Sequence, residues 1–401
     1  MTERCRICNK KLTHVLVDLG CHPPSNALLA RDELKKLEIE IYHPLKVYVC
    51  DRCWLVQVPE IVEARAIFNA EYVYYSSESP ANVSHAKELV DLMMARFRPE
   101  SVLEIGSNDG YLLQHFPKKV SVHGVDPASG PAEKALAKGV RTTVGFFPDD
   151  INLSYDIICG INVFAHQPDL HGFTKGLSTF LKPKGVIIQE FPHLVNLIGE
   201  CQFDTIYHEH YSYFSLTTVC ALFDFYGLEV FDVDEIPEHG GSLRIYAQYA
   251  NTGIFPVSPE VERILDTEKA IGVTTLNYYA DFPIRANQII KDVLDLLQSC
   301  NEQSQLVIAY GGAAKGATLL NCCRVQARQI PYIVDRSPYK QGKFFPGCYI
   351  PIVNEADIKT HKPDYVLILP WNLKEEIMAQ LHYIREWGGK FITAIPKVEV
   401  L

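Results

Sequence analysis

No apolar run in this 401-residue chain approaches the ~20 residues that a membrane-spanning helix requires. Arg4, Arg6, Lys10 and Lys11 interrupt the stretch after Met1, so no apolar leader is expected, no membrane partner, and a cytoplasmic location. Cationic charge is also scarce: 38 Lys and Arg face 48 Asp and Glu, for a formal net charge of -10. Coating a nucleic acid demands clustered cations, so nucleic acid is excluded as a partner, although local basic pockets are not. Repeats of solenoid period and low-complexity tracts are absent.

Cysteine is plentiful, with twelve in the chain, and its placement argues against a disulfide framework. Four fall into two C-x-x-C pairs, Cys5/Cys8 and Cys50/Cys53, and the others are scattered, several in apolar contexts such as Cys159 and Cys220. Zinc favours a tetrahedron of soft ligands, and each pair offers two thiolates on one side of it. The roughly forty residues between the pairs exceed the usual ribbon spacing. His14, Cys21, His22 and His43 are substitute ligands by type. A filled four-thiolate shell leaves no open coordination position, so the expected role of Zn2+ is folding.

The chain length allows two or three domains, and three are expected: a zinc module over 1–65, an α/β domain over 66–255 and a second α/β domain over 256–401. Within the first module, 16–19 and 45–49 read as short strands. Apolar residues at helical spacing mark a helix over 83–97. Apolar runs at 101–105, 120–125, 156–161 and 185–189 then read as strands, separated by helical stretches at 131–137 and 170–181, the alternation of a doubly wound, mostly parallel sheet. After a largely helical stretch over 258–300 the pattern restarts, with strands at 306–310, 332–334, 365–369 and 391–394 and a helix at 374–385.

The segment 102–110 reads as strand, glycine turn and helix start. Glu104 stands where a dinucleotide-binding loop has its first glycine, while Gly106 and Gly110 let backbone approach a ligand. Asp126 ends the next strand, a position from which a carboxylate can accept hydrogen bonds from both ribose hydroxyls. Glu104, Gly106, Asn108, Gly110 and Asp126, with Asn162 in the 156–166 segment, resemble the motifs of class I S-adenosylmethionine-dependent methyltransferases. That resemblance implies a Rossmann-like core binding S-adenosylmethionine through these residues.

The block 203–215 packs Tyr207, His208, Glu209 and His210 consecutively. Taken alone it suits a metal site, a base with its orienting carboxylate, or a polar loop. An extended conformation would send Tyr207 and Glu209 to one face and the histidines to the other, which disfavours a compact metal site unless the chain turns there.

Together these features are similar to the family of sugar C-methyltransferases that act on nucleotide-linked 4-keto-deoxyhexoses. The resemblance spans the chain: the four-cysteine module, the Tyr-Val-Tyr-Tyr-Ser-Ser-Glu-Ser block at 72–79, the methyltransferase core, Tyr-His-Glu-His-Tyr at 207–211, His-Gly-Gly-Ser-Leu-Arg at 239–244 and Gly-Gly-Ala-Ala-Lys-Gly at 311–316. It implies a dTDP- or GDP-linked 4-keto-6-deoxyhexose as substrate and methylation at C3, next to the ketone. By the same resemblance His210 is the candidate base, Tyr207 a donor to the ketone oxygen, Glu209 an orienting carboxylate and His166 a second active-site histidine. His208 is expected to be a bystander.

Tyr72, Tyr74 and Tyr75 offer stacking faces and donors for sugar or cofactor, and Tyr72 and Tyr75 are taken as the candidates. His239 and Arg244 flank two glycines, a pattern that suits an anion or hydroxyl contact or a plain glycine-rich hairpin. The 311–316 turn opens a helix whose amides favour a diphosphate, with Lys315, Arg336 and Lys340 as candidate phosphate contacts. Gly316 follows Lys315 where a Walker A loop has Ser or Thr, so ATP hydrolysis is not indicated. Competing expectations are an O- or N-methyltransferase on the same fold, and a zinc-bearing interaction scaffold with a degenerate core.

Overall fold

The computed structural model describes residues 3–35, 40–68, 72 and 74–401. The chain forms two compact units, and neither is one continuous segment. The first comprises Met1–His14, Val49–Val195 and His210–Tyr278; the second comprises Val15–Tyr48, Asn196–Glu209 and Tyr279–Leu401.

The main sheet of the first unit has, among the described residues, seven strands: β1 (Ser101–Ile105), β2 (Ser121–Asp126), β3 (Thr142–Val144), β4 (Tyr155–Ile161), β5 (Leu181–Pro192), β6 (Leu228–Ile236) and β7 (Ser242–Tyr249). They lie in the order β3-β2-β1-β4-β5-β7-β6. β1 to β5 are parallel, and β7 runs antiparallel to both β5 and β6. The order reverses between β1 and β4, which opens a crevice at the carboxyl ends of those strands, the usual ligand edge of such a sheet. Both faces are covered, so the parallel strands are near-continuous apolar runs, as at Val102, Leu103, Ile157, Ile158, Val186 and Ile187.

The helix Pro80–Arg96 packs Ala86, Leu89, Val90 and Met93 against this sheet. It starts a turn earlier than apolar spacing alone indicates. The Ser79 hydroxyl accepts from Asn82 N–H and Pro80 occupies the first turn, a cap that the period does not report. The β6–β7 pair is a hairpin that the apolar runs did not mark as strand.

A buried polar joint fixes the end of this unit. Glu268, on the helix Pro259–Ile271, stands 2.8 Å from His193 Nε2 and accepts from the N–H groups of Leu216 and Thr217 at 2.6 and 2.8 Å. Burial opposes its ionisation, but His193 and Thr217 outweigh burial and hold its carboxyl below the ordinary value. Glu268→Ala would leave the imidazole and two helix-terminal N–H groups buried without their acceptor, so a loss of roughly 3–5 kcal/mol is expected. Urea denaturation checks this; a midpoint within error of the parent protein's would remove Glu268 from the stability account.

The main sheet of the second unit has, among the described residues, six strands, β8 (Val307–Tyr310), β9 (Ile333–Val334), β10 (Ile352–Val353), β11 (Tyr365–Ile368), β12 (Lys390–Thr393) and β13 (Glu399–Val400), in the order β10-β9-β8-β11-β12-β13. All pairs are parallel except β12 with β13. Ile308, Val334, Val366, Ile368, Ile377 and Phe391 form its core. Earlier chain joins it: Asp204 accepts from Trp371 Nε1 at 2.8 Å, Thr318 Oγ1 donates to Ile206 O at 2.8 Å, and Leu29 pairs with Phe344. Among the described residues, no helix is long and apolar enough to cross a membrane.

Candidate active site and metal centre

The sulfur atoms of Cys5, Cys8, Cys50 and Cys53 all lie within 4.8 Å of one another, with 3.3 Å between Cys5 and Cys53 and 3.4 Å between Cys8 and Cys50. Each pair sits on the same kind of knuckle. Asn9 and Trp54, four residues past Cys5 and Cys50, adopt φ of 56° and 63° and return their N–H to the first cysteine's carbonyl at 2.9 Å. A tetrahedral zinc with Zn–S near about 2.3 Å requires sulfur–sulfur edges of about 3.8 Å, so the donor set fits the ion. Among the described residues, His14, Cys21, His22 and His43 are not part of the cluster.

The first knuckle also reaches the histidine block. Arg6, between Cys5 and Cys8, donates through its two terminal nitrogens to Tyr211 O at 2.7 Å and Val58 O at 2.5 Å, and its guanidinium lies over the Tyr211 ring. His171 Nε2 stands 2.7 Å from Ile7 O.

At the carboxyl end of β1, Gly106, Asn108 and Gly110 all take positive φ, at 67°, 47° and 74°. A Cβ on Gly106 would come within 3.0 Å of Val163, so the turn needs glycine for space as well as for backbone. Asp126 receives Asn108 N–H at 2.8 Å and Ala128 N–H at 2.9 Å. Burial raises its carboxyl to about 6 against those two bonds. Glu104 is 0 % exposed, neither of its oxygens has a hydrogen-bond partner among the described residues, and burial beside Asp126 and Asp109 pushes it well above the carboxylate range. Such an orphaned carboxyl fits the cationic methionine end of S-adenosylmethionine. Asn162, after β4, has φ of 55°, donates its N–H to Glu190 O at 2.8 Å, and leaves its buried Oδ1 without a partner.

The tyrosine block lies against this loop. Ser76 N–H donates to Asn108 Oδ1 at 2.8 Å, Asn108 Nδ2 donates to Tyr74 O at 3.1 Å, and Ser77 bonds Asp109. Tyr75 takes the Lys134 ammonium over its ring at 3.7 Å. Tyr72 meets Phe68 edge-on at 5.2 Å, and Phe68 in turn meets His166 at 5.4 Å.

His166 closes the short turn Phe164–His166 after β4, and its ring centroid is 4.8 Å from that of His210. Backbone fixes the approach, because Tyr211 N–H donates to Ala165 O at 2.8 Å while its hydroxyl donates to Val62 O at 2.8 Å. Both histidines are half-buried.

The other members of the block belong to the second unit. Residues 208–209 form a turn rather than an extended run, so the alternation of faces does not apply there. Tyr207 is half-buried. Glu209 is 1 % exposed, and both of its oxygens lie 2.8 Å from Asn26 Nδ2; burial pushes its carboxyl up to about 7 despite that bond. His208 faces Pro44 O at 3.3 Å and the His43 ring, and burial pushes it down to about 4.

The remaining candidates are engaged by neighbours. Arg244 Nε donates to Glu190 Oε1 at 2.6 Å, and His85 bridges Glu190 Oε2 at 2.7 Å and Glu238 Oε1 at 3.0 Å. Burial works against charge on His85, but the two carboxylates prevail and hold it up at about 9. His239 sits at φ 56° in the hairpin turn Glu238–Gly240, next to this network. Sequence reading missed His85, Glu190, Glu238 and Asn26.

In the second unit, Lys315 donates to Asn372 Oδ1 at 2.7 Å and lies over Trp371; burial lowers it to about 8 although Asp204 opposes this. Lys340 donates to Gly312 O at 3.0 Å and meets Asp335 at 3.5 Å, and Arg336 donates to Gln380 at 2.9 Å. Asp335 takes N–H bonds from Gly312 and Ser337 at 2.6 and 2.8 Å, the same arrangement that Asp126 has in the first unit.

Three family models match the chain: "Putative zinc binding domain" over residues 5–68, "Methyltransferase domain" over 82–233 and "C-methyltransferase C-terminal domain" over 237–396. The C-methyltransferase NovU of Streptomyces niveus is 34% identical over 410 residues, covering 100% of this chain and 97% of the relative. Among solved structures, magnesium protoporphyrin IX methyltransferase (ChlM) of Synechocystis PCC 6803 with bound SAM aligns at TM-score 0.37 and 12% identity, covering 47% of this chain and 99% of that one. An S-adenosylmethionine-dependent methyltransferase of Clostridium acetobutylicum ATCC 824 aligns at TM-score 0.36 and 11% identity, covering 42% and 92%. Likeness of that degree adds no weight to the fold, which the strand order and the family models carry. With its four-cysteine zinc site and S-adenosylmethionine-dependent core, the chain belongs to the C-methyltransferase family that includes NovU.

Proposed function

We propose that the enzyme methylates C3 of a dTDP- or GDP-linked 4-keto-6-deoxysugar in the cytoplasm. The observation that carries this reading is the His166–His210 pair, two half-buried imidazoles 4.8 Å apart in the unit that holds the glycine loop. A carbon next to a ketone gives up its proton to a base near neutrality, provided the enolate oxygen is stabilised.

In the proposed step His210 takes the C3 proton, the C–H electron pair moves toward the C4 carbonyl, and the Tyr207 hydroxyl donates to that oxygen. Glu209 orients the imidazole or contacts a sugar hydroxyl or amine, and His166 is the second histidine of the site. Glu104, Gly106, Asn108, Gly110, Asp126 and Asn162 would hold S-adenosylmethionine, which when bound would supply an electrophilic sulfonium methyl to C3 with inversion, the C–S bond pair staying on sulfur as S-adenosylhomocysteine leaves. Tyr72, Tyr75, His239 and Arg244 are assigned to the sugar, and Lys315, Arg336 and Lys340 to the diphosphate, within a substrate domain over 256–401.

Proton abstraction and methyl transfer separate experimentally. In deuterated buffer without methyl donor, the enzyme is expected to exchange the C3 hydrogen of a 4-keto-6-deoxyhexose nucleotide, read by NMR. A labelled methyl appearing on another carbon, on oxygen or on nitrogen, with no C3 exchange, would overturn the reading.

A further inference from the structure

The turn at Ser25–Asn26 follows Pro23-Pro24 and is pinned on both sides. Ala27 N–H donates to Pro24 O at 3.1 Å, Leu28 N–H to Asn26 O at 2.9 Å, and Leu29 exchanges both backbone bonds with Phe344 at 3.0 and 2.8 Å. The backbone that carries the Asn26 carboxamide is therefore held by its own neighbours. The carboxamide Nδ2 stands 2.8 Å from Oε1 and 2.8 Å from Oε2 of Glu209, 183 positions later in the chain.

From this geometry we infer that Asn26 is a positioning residue for methyl transfer, fixing the orientation of the Glu209 carboxyl group while adding no charge to it. The inference rests on the proposed role of Glu209 in the same reaction.

The choice of an amide has chemical content. A buried carboxylate without a donor is costly, so some partner is required. An arginine would bind both oxygens as a fork and keep Glu209 ionised throughout. The neutral Asn26 donor serves both oxygens and leaves the carboxyl titrating near neutrality, at about 7. Its proton state is then open to the group that binds against it: ionised toward an imidazolium or an amine, neutral toward an oxyanion. His208, the adjacent titratable side chain on the same turn, faces Pro44 and His43.

The test compares Asn26→Ala, Asn26→Asp and Glu209→Gln in the full chain, on dTDP- and GDP-linked 4-keto-6-deoxyhexoses, with melting temperature and S-adenosylmethionine binding as folding controls. Asn26→Ala is expected to lower kcat ~10-fold or more, the scale of a hydrogen bond to a charged group, with S-adenosylmethionine affinity unchanged. Asn26→Asp places two carboxyls together so that they share one proton, and is expected to retain turnover with a displaced pH profile. Normal kcat and an unmoved profile in both Asn26 variants, with Glu209→Gln impaired, would overturn the inference while sparing the role of Glu209. Normal turnover by Glu209→Gln would instead remove the reading on which the inference stands.

If the parent protein turns over neither sugar, infrared titration of the Glu209 carboxyl, assigned with Glu209→Gln, still decides. Its midpoint should rise in Asn26→Ala, because the ionised form loses its side-chain donor while the backbone bond from residue 26 remains. An unchanged midpoint would overturn the inference.

Discussion

His210→Asn is expected to lower turnover of a nucleotide-linked 4-keto sugar by ~10²-fold or more, the scale of a lost general base. Asparagine keeps polarity and approximate size but cannot accept a proton at neutral pH. The backbone around position 210 is held independently of the side chain, by Tyr211 N–H on Ala165 O and Tyr211 OH on Val62 O, so the local fold should persist. S-adenosylmethionine affinity should stay unchanged, and exchange of the C3 hydrogen should fall together with methyl transfer. That coupled loss separates a base from a residue that only binds the sugar, which would raise KM with less effect on exchange. Near-normal kcat would remove His210 from the role.

Cys50→Ser, or prolonged chelation, is expected to release the zinc and cost several kcal/mol or more, because structural zinc sites contribute apparent binding energies of about 10–16 kcal/mol to folding. Next to the second cysteine pair, Leu55, Val56 and Val58 are the fully buried apolar side chains of a short stretch of chain. Activity should fall too, although a four-thiolate zinc has no position open to substrate. Arg6 lies inside the first cysteine knuckle and donates to Tyr211 O, so losing the metal loosens the support directly behind His210. Metal analysis, the melting curve and kcat check this together. Retained zinc or an unshifted transition in Cys50→Ser would overturn it.

Much of the fold is legible from residue patterns, because local chemistry determines those parts. The parallel strands announce themselves as short apolar runs, the glycine loop as Glu104, Gly106 and Gly110, and the candidate ribose contact as an aspartate at a strand end. The cysteine pairs give their own ligand set. What escapes is long-range. Asn26 and Glu209 are 183 positions apart, and His85 and Glu190 are 105 apart; neither pair has a spacing to detect, since tertiary packing alone brings them together. The glycine-rich turn at 239–241 marks a hairpin as one of its readings, but the lengths of strands β6 and β7 escape for a different reason. Those strands carry Glu229, Asp232, Asp234, Arg244 and Gln248 among the apolar residues, which blurs a period that the buried parallel strands show clearly. Arg244 shows how far the pattern goes: beside two glycines it reads as an anion or hydroxyl contact or as part of a glycine-rich hairpin, and in the fold it lies on hairpin strand β7 with its Nε on Glu190.

The division of the chain has a consequence for the order in which it is made. Residues Val15–Tyr48, Asn26 among them, belong to the unit completed by Tyr279–Leu401, whereas the unit containing the cysteines needs nothing beyond Tyr278. At a synthesis rate of ~5–20 residues per second, the early segment waits on the order of tens of seconds for its partners. The cysteine pairs bracket that segment, with Cys5 and Cys8 before it and Cys50 and Cys53 after it. Zinc capture can therefore close it into a loop as soon as Cys53 has emerged, and a tethered loop has less entropy left to lose when its partner strands arrive. The metal then acts as a clasp on unfinished chain, holding the carrier of Asn26 by both ends until Glu209 exists to meet it.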